Sequence, residues 1–389
     1  MRKPASYLSP QLRPWLLAAA GCGLPAFLAG TVVSPVVAWS TMLTSSFFFL
    51  TLALGALVFL AILSVANAGW HSALKRVPEA LAAYLPVGAL TTVVMLAGAP
   101  QLYHWAQAEA VAHDAVLQAK TGYLNVPFFA LRMIVILAIW IAFAVALRRN
   151  SVQQDGDGKP QRTQRSVVLS ALLLVVFPFS FSLASIDWLM SLEPHWASTL
   201  FGFYNISGLL SAAVAVTAVT IVLLRRRGEL AYLNGGHFHD LGKLLFGFCT
   251  VWMYLWFSQY LLIWYTNMAE ETPYYLARTS GGWAVLFYLN VVINWVIPFV
   301  VLLPRATKCS ERAMLRVSLL VLAGRWLDIF LMVAPAVRQG YGGPGILDVA
   351  VFLALGALFV LVVDRALVAV PLLAKNDPYL VEGLHHGRA

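Results

Sequence analysis

Ten stretches of predominantly apolar residues run through this chain, at roughly 15–35, 45–67, 79–99, 126–147, 166–189, 199–224, 244–267, 282–303, 314–337 and 346–372. A bilayer core about 30 Å thick is crossed by about 20 such residues as a helix. Each run is far longer than a barrel strand and shows no sustained alternation, which favours helices over a barrel. Composition points the same way. Of 389 residues, 60% are hydrophobic and 11% charged, against about 25% charged in soluble domains. So few charges cannot cover a soluble surface, and a disordered chain would be polar. Cys22, Cys249 and Cys309 are widely spaced and odd in number, so they offer neither a disulfide framework nor a cysteine-rich metal site. The expectation is an all-α polytopic membrane protein, about ten transmembrane helices in a single integral membrane domain over 1–389.

The loops set the expected orientation. With the N-terminus inside, 21 of the 26 lysines and arginines fall in inner segments; Lys120, Arg278 and Arg338 fall outside, and Arg132 and Arg325 lie within helices. That asymmetry satisfies the positive-inside rule with both termini cytoplasmic, as in a bacterial inner membrane. The net charge of +9 then reflects topology and needs no nucleic-acid partner. Arg2, Lys3 and the apolar stretch before Cys22 also suit a signal peptide, but that stretch is short and apolar character continues to Val37, so a retained first helix is expected. The polar segment Asn150–Arg165 is expected to be a mobile inner loop. The outer segment Pro100–Asn125 has room for a short helix. Helices 2–5, about 45–189, and helices 6–9, about 199–337, would be parallel repeats.

An ionisable group in hydrocarbon is costly, so each is a functional candidate until a partner neutralises it. Arg132 lies about six residues inside the outer end of helix 4, Arg325 near the middle of helix 9, and Asp328 three residues farther on the same face. Asp187 ends helix 5, Glu193 and His195 follow at the surface, and Asp348 opens helix 10. Tyr204, Asn205, Gln259, Asn290 and Asn294 add neutral polar groups in the same outer half. Plainer readings stand beside the functional one. Arg325 and Asp328 neutralise each other; Asn290 and Asn294 repair backbone freed by Pro298; Glu193 and His195 form a solvated loop; Trp188, Trp196, Trp252, Trp256, Trp264 and Trp283 form an interface belt or pack in the interior.

Several chemistries find no residues. All eight histidines lie in loops, at helix ends or in the tail, whereas a b-type haem between helices needs them at membrane depth. There is no CxxCH and no Walker motif. Asn234-Gly235-Gly236 reads as a turn, and His237, His239 and Asp240 read more readily as loop residues than as a metal site.

The stretch FPFSFSLASIDWLMSLEPHWASTLFGFY at 177–204 and GRWLDIFLMVAP at 324–335 resemble the polysulfide-reductase (NrfD-like) family, specifically the second, shorter membrane subunit of alternative complex III, a quinol:cytochrome c oxidoreductase. The likeness covers nearly the whole chain. It implies two four-helix bundles plus flanking helices, a paralogous NrfD-like subunit, and partners holding iron–sulfur clusters and multihaem cytochrome c on the outer side. It implies contact with quinol or menaquinol, or proton conduction, near the periplasmic face. Asp187, Glu193 and His195 match the first motif, Arg325 and Asp328 the second. Two other classes remain open: a secondary transporter, and a structural anchor for redox subunits.

Overall fold

The computed structural model describes residues 5–338, 340 and 343–387. The chain is a polytopic membrane protein, and the described residues are helical with no strands and ten candidate spans. These are α1 (Leu12–Val33), α2 (Pro35–Val65), α3 (Arg76–Leu102), α4 (Val126–Asp157), α5 (Pro160–Trp188), α6 (Phe201–Arg225), α7 (Gly235–Thr266), α8 (Trp283–Leu302), α9 (Glu311–Val337) and α10 (Ile346–Ala369).

Local sequence sets the ends and the breaks. Asn125 caps α4 by accepting the Phe128 amide at 2.9 Å, and Asn234 caps α7 through the Gly236 amide at 2.9 Å. α3 is segmented into α-helix over Arg76–Ala82, Leu85–Val93 and Ala99–Leu102, with a 3₁₀ turn at Val94–Gly98. Pro86 and Pro100 sit in the first turns of the later segments, where their missing N–H groups cost nothing. α8 carries a π-turn at Val292–Val296 just before Pro298.

α2 and α6 lie at the centre: α2 packs on α3, α5, α6, α9 and α10, and α6 on α5, α7 and α9, while α4 lies on α5 and α1 on α10. α2 is the most buried span, followed by α6 and α9, and α1 is the least. Without a hydrophobic force between helices in lipid, close approach depends on small residues. Gly55 of α2 faces α6 so tightly that a Cβ there would stand 2.8 Å from the Leu209 carbonyl oxygen. Gly23 and Gly30 do the same for α1, seating Ala354 and Leu347 of α10.

Two expectations are corrected. The segment 150–165 is not a loop: α4 runs to Asp157, Gly158 turns the chain at φ +62°, and α5 begins at Pro160. Asn150 closes this hairpin by donating to the Arg162 carbonyl at 2.6 Å and to Ser166 at 2.7 Å, so part of the polarity of the segment is spent on the turn. The second span starts about ten residues earlier than its apolar run, because Ser34–Pro35 joins it directly to α1. The segment after α3 does form short helices, Ala108–His113 and Ala115–Lys120.

The orientation expected from charge is tested by labelling single cysteines at Gly156 and Thr199, both exposed, in a background lacking Cys22, Cys249 and Cys309. Gly156 is expected to react only from the cytoplasmic side and Thr199 only from the periplasmic side. Labelling of both from one side contradicts the charge-based topology.

Candidate functional site

At the end of the bundle opposite the arginine-rich loops, the ionisable residues sort into pairs. The deepest lies among α6, α7, α8 and α9. Asp328 of α9 takes the Asn290 amide at 2.9 Å and the Tyr204 hydroxyl on Oδ1, and the Trp252 indole at 3.1 Å and Arg325 on Oδ2. Arg325 also donates to Asn205 Oδ1 at 2.9 Å, and its Nε–H is buried without a partner. Its guanidinium lies against Gly208, where a Cβ would stand 2.4 Å from Nη1. Arg325 and Asp328 therefore do neutralise each other, but within a larger set of donors contributed by α6, α7 and α8. A carboxylate has about four acceptor sites, and those of Asp328 are filled.

Asn290 and Asn294 divide the role expected of both. Asn294 repairs backbone, donating to the Asn290 carbonyl at 3.0 Å beside the π-turn, and to Asn290 Oδ1 at 2.7 Å. Asn290 is thereby aimed at Asp328.

Asp187 of α5 and Arg132 of α4 meet between those two helices. Arg132 Nε and Nη2 reach the two carboxylate oxygens at 2.7 and 3.2 Å, the Tyr123 hydroxyl donates to Oδ1 at 2.9 Å, and the guanidinium lies 3.9 Å over the Tyr123 ring. Burial and the Asp187 charge push the Tyr123 phenol up to about 12.

Glu193 is held by Arg278, at 2.6 Å from Nη2 to Oε2. Arg278 is only 2% exposed and also donates to the Tyr274, Leu331 and Met332 carbonyls at 2.7, 2.9 and 3.1 Å. It lies 3.5 Å over the Tyr274 ring, which stacks at 3.7 Å on Trp196. Burial would lower the affinity of Arg278 for its proton, but Tyr274 and Glu193 raise it more. The Tyr274 phenol is itself pushed up to about 12, by burial first, with Glu193 and Asp328 adding and Arg278 opposing.

Asp348 binds Arg338 through two contacts of 2.6 and 3.0 Å, accepts the Thr41 hydroxyl at 2.6 Å, and caps α10 through the Gly345 amide at 2.9 Å. His195, exposed, pairs with Asp114 at 2.7 Å. Desolvation raises the Asp114 carboxyl, but the Leu117 and Val116 amides and His195 together outweigh it and hold the group below its ordinary range.

These seven sequence candidates do not converge on one site. Asp187 with Arg132, Asp348 with Arg338, and His195 with Asp114 are separate clusters. What the fold does bring together is Asp328 and Arg278. Between them lies a cavity of about 20 Å³ lined by Tyr204, Gln259, Tyr275, Arg278, Asn290 and Asp328 among others, large enough for one water. Beyond it Gln259 donates to the Tyr275 hydroxyl at 3.0 Å and accepts from Ser198 at 3.1 Å. A row of polar groups thus runs from Asp328 to the loop between α5 and α6. The sequence reading left Arg278 and Arg338 as ordinary outer-loop cations. Arg338 had a signal, since it stands ten residues before Asp348 across a short connection.

The tryptophans mostly pack inside: Trp188, Trp196, Trp252 and Trp283 are buried, whereas Trp264 is exposed. His237 and His239 do not gather a ligand set. His237 Nε2 faces the Gly383 carbonyl at 2.9 Å, and Asp240 is engaged by Lys243 and His386. Among the described residues no three His, Cys, Asp or Glu side chains are grouped as metal ligands. No protein-family model and no curated protein matches this chain.

Proposed function

We propose that the chain is an integral membrane subunit of a quinol:cytochrome c oxidoreductase, a member of the family that its motifs at 177–204 and 324–335 resemble, and that it moves protons at the outer face. The observation that carries the reading is the buried Asp328, which shares a water-sized cavity with Gln259, Tyr275 and Arg278; Gln259 in turn accepts from Ser198, and Arg278 pairs with Glu193. Oxidation of a quinol releases two electrons and two protons. The electrons pass to iron–sulfur clusters or haems c on partner subunits. The protons need bases close to the releasing face, and buried carboxylates in that half of the membrane suit the task. For Asp328 to take a proton, Tyr204 or Asn290 must first turn away from Oδ1, which makes this carboxylate a gated base.

The same four donors favour a second reading, in which Asp328 only ties α6, α7 and α8 to α9 and the subunit is an anchor. Asp328→Asn separates the two. As a relay, the variant assembles and slows quinol-driven cytochrome c reduction and proton release by about tenfold or more. Wild-type turnover and proton release in an assembled Asp328→Asn complex eliminates the relay.

A further inference from the structure

The arginine-rich end of the bundle carries a second cavity, unconnected with Asp328. It lies between α6, α10 and the segment before α1 and measures about 330 Å³, at the low end of the roughly 300–1,000 Å³ of small-molecule sites. Val219 and Leu223 of α6 and Val360 and Val363 of α10 line it. Leu223 and Val360 keep substantial exposure, so the apolar slot opens sideways on the surface of the spans rather than into the protein.

Arg226 and Arg227, both exposed, stand at its rim. The adjacent Arg225 is spoken for, paired with Glu311. Among the described residues Arg226 and Arg227 have no such partner. The one carboxylate lining the cavity, Asp364, is turned to Ser6 Oγ at 2.7 Å and the Tyr7 amide at 2.8 Å. Glu229 acts on Tyr7, whose phenol is raised by burial first and then by Glu229 and Asp364, but Glu229 is not part of the lining.

An apolar slot open to the bilayer, with two unpaired guanidinium groups at its membrane-surface mouth, is complementary to an acyl chain below an anionic headgroup. We propose that this groove binds an anionic phospholipid, its phosphate on Arg226 and Arg227 and a chain along Leu223 and Val363. Bound there, the lipid packs against the Tyr7–Leu12 segment and holds it to α6 and α10.

The test is native mass spectrometry of the full chain in mild detergent, titrated with dioleoyl phosphatidylglycerol, dioleoyl phosphatidylcholine or inorganic phosphate. Phosphatidylglycerol is expected to be retained in preference to phosphatidylcholine. Arg226→Gln with Arg227→Gln is expected to weaken its retention roughly five- to thirty-fold. The control Arg312→Gln with Arg316→Gln removes the same charge from exposed positions outside the groove and is expected to leave retention near wild type. Val363→Trp, which fills the slot, is expected to reduce both lipids. Equal retention of the two lipids, equal losses in the two double variants, or displacement of phosphatidylglycerol by millimolar phosphate would each overturn the proposal.

Discussion

Asp328→Leu is expected to lower the amount of chain in membranes more than any other single change at this end of the bundle. Breaking one side of a buried ion pair costs about 3–5 kcal/mol, a large part of a total stability of roughly 5–15 kcal/mol. The two partners are not equivalent. Without Asp328, Arg325 is left charged and Tyr204, Trp252 and Asn290 lose their acceptor. Without Arg325, Asp328 keeps those three donors, so Arg325→Leu is expected to be the milder variant. The double change to leucine removes both charges and should restore much of the abundance. Recovery stays incomplete, because each buried donor left unmade costs about 1–3 kcal/mol. Abundance by immunoblot, beside thermal stability in detergent, measures the series. A double variant no better than Asp328→Leu would show that the pair is not held together by mutual neutralisation.

Arg278→Ala is expected to have the second largest effect, and its partner a small one. Arg278 satisfies three backbone carbonyls besides Glu193, and each carbonyl left without a donor costs about 1–3 kcal/mol. Arg278→Lys should recover little, because one ammonium cannot reproduce the planar fork that reaches all of them. Glu193 keeps 25% side-chain exposure, so its freed charge can turn to water, and Glu193→Gln should cost under about 1 kcal/mol. Hydrogen exchange over 268–280 and 328–335 provides the measurement. Similar losses of protection in Arg278→Ala and Glu193→Gln would mean that the ion pair, rather than the carbonyl contacts, is what Arg278 contributes.

Most of the architecture is legible in the chain because a membrane simplifies the problem. Backbone groups in hydrocarbon are satisfied within helices, so apolar length alone counts the ten spans. Boundaries were less legible. At Asn150–Arg165 the polarity suggested a loop, but the side chains that carry it hold the turn between α4 and α5. The pairing of Arg325 with Asp328 follows from helical spacing on one element. The Arg278–Glu193 contact does not, since it joins the short helix Thr272–Thr279 to the connection between α5 and α6, residues far apart in the chain. The cavity beside Asp328 lay equally beyond reach, as it is bounded by residues from α6, α7, α8, α9 and the connection before α8.

The proposed role in quinol oxidation requires partners, and it is tested most directly by purifying the chain from its native membrane in mild detergent. Mass spectrometry then identifies co-purifying subunits and extracted quinone, and quinol:cytochrome c activity is assayed on the same preparation. The expected result is a complex with iron–sulfur and multihaem cytochrome c subunits, a related membrane subunit, bound quinone and quinol-driven cytochrome c reduction. A chain that purifies alone, without quinone and without that activity, would contradict it.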